Sequence, residues 1–119
     1  MAKTRLKRFI TPSPASKGDY IQIDCNYDTD ITDYNIRAEI FDNRSSVGLR
    51  KATTNAGGGD TEIEITTATS GLFSIYLATN DTLYFEGDVQ IEIELEDTSG
   101  NRFVVHKGYI QLEERKITW

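Results

Sequence analysis

Apolar and polar residues alternate over several short segments of this 119-residue chain. The clearest segment is 89–95, which places Val, Ile or Leu at every odd position and Gln or Glu between them. Successive side chains of a β-strand point to opposite faces, so a period of two predicts a strand with one buried face. The same pattern predicts strands over 20–27, 34–40, 62–65, 73–77 and 102–112, and we expect a short edge strand over 47–53.

The order of these strands predicts an all-β fold. Gly, Asp, Asn and Ser separate about seven short strands, which favours an antiparallel β-sandwich of immunoglobulin-like type. A small barrel is the alternative, because periodicity does not distinguish the two architectures. The alternation changes phase near Gly108, which predicts a β-bulge at that glycine. The length allows one domain with one hydrophobic core.

Charge divides the chain into a basic arm, residues 1–17, and an acidic body, residues 18–119. The net charge is −6, but the arm holds five cations and no acid, so the body carries −11. We expect Lys3, Arg5, Lys7 and Arg8 to contact an acidic neighbouring protein, or the arm to be partly disordered when alone. The acidic body would repel phosphate, which argues against nucleic acid as the partner.

The residue types that perform chemistry are scarce. The chain has one cysteine, Cys25, and one histidine, His106. A structural zinc site needs four ligands and a catalytic site three, and a Cys or Ser nucleophile needs a base beside it. We therefore predict no enzyme activity, no catalytic residue, no cofactor and no metal site. Cys25 lies on the apolar side of its strand, where a thiol usually packs in the core, and we expect His106 to be a structural or a surface residue.

Two groups of side chains leave other functions open. Phe41, Tyr76, Tyr109 and Trp119 are predicted to point outward, where aromatic rings form hot spots of protein interfaces or stack on sugars. Glu92 and Glu94 share an outer strand face, and paired carboxylates serve glycosidases. A solvated face explains the glutamates without a cleft, so it is the preferred interpretation.

Nothing in the sequence predicts a membrane protein. No apolar run approaches the roughly 20 residues of a membrane-spanning helix. The N-terminus has cations but lacks the apolar segment of a secretory signal. We therefore expect synthesis and retention in a cytosol.

Five segments in sequence order resemble small bacteriophage and prophage virion proteins, including the N-terminal domain of phage upper-baseplate proteins. Residues 18–21 (GDYI) and 30–40 (DITDYNIRAEI) resemble a strand after "GD", a "D-L-T-G" turn and a "V-x-A-x-I" strand. Residues 69–77 (TSGLFSIYL) resemble a "G-x-F-x-x-x-L" strand. Residues 89–97 (VQIEIELED) with Gly100 resemble the following hairpin, and 108–112 (GYIQL) the closing "G-x-x-x-V" strand. Together the resemblance spans about residues 18–117.

The resemblance implies a non-enzymatic, immunoglobulin-like structural protein of a tailed-phage virion, assembled in the host cytoplasm on tail, baseplate, neck or capsid. Other virion proteins and further copies of the chain would be its partners, with the arm, Tyr109 and Trp119 as contacts. Two departures are Asp33 in place of the turn glycine and the added glycines 57–59. The alternatives are a carbohydrate-binding module that uses Tyr76, Tyr109 or Trp119, and a small glycosidase that uses two glutamates.

Overall fold

The computed structural model describes residues 5–11, 15–42, 50–53, 62–83, 85 and 88–114, with the backbone alone at 50–53. The predicted contacts Lys3 and Trp119, and the glycines 57–59, lie outside the described residues. The strands are, in chain order, β1 (Arg8–Ile10), β2 (Ile21–Asn26), β3 (Asn35–Phe41), β4 (Arg50–Thr53), β5 (Glu62–Thr67), β6 (Leu72–Leu77), β7 (Val89–Glu96) and β8 (Arg102–Ile110).

The strands form two antiparallel sheets, which confirms the predicted all-β sandwich over the barrel. One sheet has the order β1-β2-β6-β5 (sheet I) and the other the order β4-β3-β7-β8 (sheet II). Seven of these strands follow residue 18, as the sequence predicted, and β4 is an edge strand as expected. The eighth strand, β1, lies within the segment predicted to be an arm.

The inner faces of the two sheets form the hydrophobic core. Every odd residue of β7 from Val89 to Leu95 is buried, and the even residues between them are partly exposed. In β2, Ile21, Ile23 and Cys25 are buried on the same alternation. Burial of each such aliphatic side chain contributes about 1.5–3 kcal/mol, so the period-two pattern decides which face turns inward.

The turn before β6 depends on Gly71. A 3-10 turn, Ala68–Ser70, ends at this residue, which has a φ of +75°. The loop after β2 packs directly on it: Tyr27 N donates to Gly71 O at 2.8 Å and Ile31 N donates to Ala68 O at 2.9 Å. A Cβ at Gly71 would lie 2.5 Å from the carbonyl oxygen of Thr29. Both the left-handed backbone and the close approach therefore require glycine.

The bulge lies in β8, but not at Gly108. Ile93 pairs with His106 and Glu94 pairs with Val104, so Val105 is the inserted residue. Gly108 pairs regularly with Ile91. The prediction placed the bulge at the wrong residue because a strand glycine is a common mark of a bulge. Gly108 instead leaves space for a neighbouring side chain, which is described below.

The segment between β6 and β7 contains one helical turn, α1 (Thr79–Thr82). Its N-cap is Ala78, which makes no side-chain capping hydrogen bond. Thr82, the last residue of this turn, is buried, and its hydroxyl donates a hydrogen bond to Asp19 O at 2.7 Å. This contact attaches the helical turn to the chain just before β2.

Gly71 and Gly100, two of the glycines with positive φ, make a matched test of these turns. We expect Gly71→Ala to lower the free energy of unfolding by about 3 kcal/mol, since backbone strain adds to a steric clash. Gly100 has a φ of +86°, but no atom lies within 4 Å of the position that a Cβ would take there, so Gly100→Ala should cost about 1 kcal/mol. Urea unfolding measures both, and equal losses would contradict the proposed role of the Thr29 contact.

Candidate functional site

Two consecutive amides join the N-terminal segment to opposite sheets. Leu6 N donates to Val105 O of sheet II at 2.9 Å, and Lys7 N donates to Asn26 O of sheet I at 2.8 Å. Strand β1 then continues antiparallel to β2, with Phe9 opposite Cys25. Residues 5–11 of the basic segment are therefore part of the sandwich. They connect sheet I to β8 of sheet II, and we call this boundary between β1 and β8 the seam.

A second attachment follows further along the same segment. Glu113 N donates to Ala15 O at 2.8 Å, and Lys17 N donates to Glu113 O at 3.0 Å. Ala15 is buried in the core. Leu6 is thus attached at Val105, within β8, and residues 15–17 are attached at Glu113, beyond the end of β8.

An aromatic stack fills the seam between these attachments. The rings of Phe9 and His106 lie with centroids 3.9 Å apart and an interplanar angle of 23°. The bulge at Val105 turns His106 toward the inner face, opposite the buried Ile93. A Cβ at Gly108 would lie 2.7 Å from His106 Nε2, so glycine leaves the space that the imidazole occupies.

Burial lowers the pKa of His106 below its ordinary value of 6.5. Desolvation disfavours the imidazolium, and the neutral ring is the form that packs against Phe9. His106 therefore holds two edges of the sandwich together as a neutral packing residue.

Beside this stack lies a cleft of about 450 Å³ between the N-terminal segment and β8. Its lining residues are Arg5, Leu6, Val104, Val105, His106 and Lys107. Val104 is 46% exposed. Arg5 makes no ion pair with any residue that the structure describes, and Lys107 Nζ lies 3.5 Å from Glu92 in an exposed pair. The cleft thus combines an apolar floor with a positive rim.

The structure separates the other predicted contact cations. Lys7 Nζ lies 3.5 Å from the carboxylate of Asp28. Arg8 pairs in register with Asn26 and is exposed on the outer face of sheet I, away from the cleft. Arg5 lines the cleft, Lys7 lies at Asp28 and Arg8 faces the outer side of sheet I, so these three cations do not form one patch.

The predicted outward aromatics also fall into two places. Tyr109 is 67% exposed and shares a cross-strand row with Gln90 and Phe41 on the outer face of sheet II. Two interstrand spacings put Phe41 and Tyr109 about 10 Å apart. Tyr76 instead stacks on Tyr20, with ring centroids 6.0 Å apart, on the outer face of sheet I.

The glutamates of β7 lie among cations on the face of sheet II. Arg37 Nη1 is 3.2 Å from Glu94 Oε1, and Arg102 Nε is 2.9 Å from Glu96 Oε2. Hydrogen bonds from Arg102, and then from Asn35, lower the pKa of Glu96. A general acid needs the opposite change, so Glu96 is suited to an ion-pair ladder on a solvated face.

Cys25 lies in β2, opposite Phe9 of β1, and is buried in the core. Burial raises the pKa of its thiol to about 12, with a smaller contribution from Asp24. The thiolate is the reactive form of cysteine, so the neutral thiol at physiological pH acts as a small apolar side chain.

Sequence reasoning missed Leu6 and Phe9 as parts of the fold. The five cations of residues 1–17 dominated the interpretation, although Leu6, Phe9 and Ile10 are apolar residues within a polar segment. These apolar residues are the signal that could have predicted an attached strand.

Within the described ranges, no group of three or more His, Cys, Asp or Glu side chains could hold a metal ion. The described helices include none with the length and hydropathy needed to cross a membrane. Comparison of the chain with protein-family models and with curated proteins finds no match.

The stack predicts a pH dependence of stability. The folded protein binds the His106 proton more weakly than the unfolded chain, so stability should fall as the pH drops through 6.5. His106→Phe keeps an aromatic ring beside Phe9 but cannot titrate. Urea unfolding at pH 7.5, 6.5 and 5.5 should show a steeper loss for the native chain than for the variant. Equal pH dependence in the two proteins would contradict the role of the neutral imidazole.

Proposed function

We propose that the chain is a structural protein of a tailed-phage virion that acts through protein contacts. The strand order supports an immunoglobulin-like version of the sandwich. With strands lettered in chain order, sheet I corresponds to A-B-E-D and sheet II to C′-C-F-G. This strand order is similar to the constant-type arrangement, with one extra strand beside C.

The turns that carry the virion resemblance support this proposal most directly. Asp33 stands where the "D-L-T-G" turn has glycine, and its φ is +65°, a conformation that favours glycine but that Asp tolerates. Gly71 and Gly100, in two further resembling segments, also have positive φ. Three segments of the resemblance thus coincide with backbone positions that need a special residue.

A role in assembly fits the way the chain presents its surface. The N-terminal segment is held by both sheets, so Arg5 and Arg8 project from a fixed frame. Tyr109 projects from the outer face of sheet II, and β4, β5 and β8 are edges of the two sheets. Rigid display of cations and an aromatic ring is suited to repeated contacts with other virion proteins or with further copies of the chain.

The proposal predicts that the chain is a component of particles. Phage particles purified on a density gradient from the strain that carries this gene should contain the chain, detected by quantitative mass spectrometry at a fixed ratio to the major capsid protein. The same lysate treated to separate tails from heads identifies the substructure. Particles that lack the chain, while the lysate contains it, would reject the proposal.

The row of Phe41, Gln90 and Tyr109 supports a second candidate, a carbohydrate-binding module. Aromatic faces stack on sugar rings, and an amide between them donates to and accepts from hydroxyl groups. Of the aromatics predicted for this role, Tyr109 is in the row, Tyr76 is on the opposite face and Trp119 lies outside the described residues.

A glycan array with two matched variants tests this candidate. Binding should be lost in Tyr109→Ala and kept in Tyr20→Ala, since Tyr20 is 56% exposed but lies on sheet I. Absence of glycan binding by the native chain, or equal loss in both variants, would reject the sugar-binding row.

A further inference from the structure

The cleft beside β8 has an unusual charge for this protein. The body, residues 18–119, carries −11, yet Arg5 and Lys107 line the cleft with His106. No carboxylate is among the lining residues that the structure describes. The carboxylate of Glu92 lies 3.5 Å from Lys107 Nζ, and the side chains of Lys107 and Glu92 are 69% and 42% exposed. A pair of this kind contributes little and is readily exchanged for another carboxylate.

The floor of the cleft is apolar and fixed in place. Leu6 is held by its hydrogen bond to Val105, and the stack of Phe9 on His106 packs the adjoining seam. Val104 keeps 46% of its surface exposed although it lies on an otherwise charged face. A site that is built before the ligand arrives loses less entropy on binding.

These features select the chemistry of a ligand. The cations favour a ligand with negative charge, and the floor formed by Leu6 and Val104 favours a ligand with an aliphatic group close to that charge. An extended peptide in which acidic and aliphatic residues alternate meets both needs, because its side chains point alternately to two sides. A phosphate backbone fits less well, since it supplies negative charge but no aliphatic side chain for the floor formed by Leu6 and Val104.

We propose that this cleft binds an extended acidic segment, with alternating Glu and aliphatic residues, from another protein. Arg5 and Lys107 bind the carboxylates, and Leu6 and Val104 contact the aliphatic side chains. The proposal rests on the assembly role above and states the chemistry of the partner that would dock there.

A labelled peptide tests the cleft with the purified full chain. The probe is acetyl-Glu-Leu-Glu-Leu-Glu-amide carrying a fluorophore, and binding is followed by fluorescence anisotropy. Arg5→Gln and Lys107→Gln should each raise Kd about tenfold, the loss expected for one charge-assisted hydrogen bond. Arg8→Gln is the matched control: it removes an exposed cation from the same segment, but one that faces the outer side of sheet I.

Further measurements complete the test. The peptide with Gln in place of Glu should bind at least tenfold more weakly, and amide chemical shifts on titration should change at residues 104–107. Binding should weaken as salt is raised, and a single-stranded DNA of the same charge should bind more weakly than the peptide. Thermal unfolding of each variant confirms that the fold is retained.

The proposal is overturned if Arg8→Gln loses as much affinity as Arg5→Gln, if the Gln peptide binds equally well, or if DNA binds more tightly. Absence of any binding by the native chain overturns it as well. These outcomes are separate from the assembly role, because the presence of the chain in purified particles does not depend on the peptide. If the chain binds the peptide but is absent from particles, the proposal of a peptide-binding cleft stands and the proposal of a virion role is rejected.

Discussion

The backbone amides of Leu6 and Lys7 donate hydrogen bonds to opposite sheets, and these two bonds hold the β1 and β8 edges of the sandwich together. A two-layer sandwich has open strand edges, and unpaired edges are sites of unwanted strand addition. Here one short segment supplies a strand to β2 and a hydrogen bond to the bulge of β8. The bulge exposes the carbonyl of Val105 and turns His106 inward, so that Phe9 has a ring to stack on. Backbone irregularity and aromatic packing therefore close the seam together.

This closure also determines where the charges of the segment lie. Because residues 5–10 are held in place, Arg5 reaches the cleft, Lys7 reaches Asp28 and Arg8 reaches the outer face of sheet I. A contact that used all of these cations at once would need the segment to leave the sandwich. Removal of the segment would therefore test folding as well as binding, and single substitutions separate the two. The same frame fixes Phe41 and Tyr109 in one row across β7.

The alternation of residues predicted most strands within one or two residues, because burial of one face is a local property of each strand. The acidic outer face of β7 was predicted as solvated, and in the structure its glutamates pair with Arg37, Arg102 and Lys107. The bulge was misplaced because its cause is not local. Gly108 makes room for the imidazole of His106, which the bulge turns inward and which stacks on Phe9 of the other sheet.

The sequence by itself determined the all-β class and the inward and outward faces of the strands. Each of these follows from the chemistry of a residue and its immediate neighbours in the chain. Only the tertiary structure decided that a basic segment is a strand, that Arg5 and Lys107 line one cleft, and that Tyr109 is separated from Tyr76. Those outcomes depend on which strands pair and which edges meet, and pairing is set by the burial of both sheets against each other across long stretches of sequence.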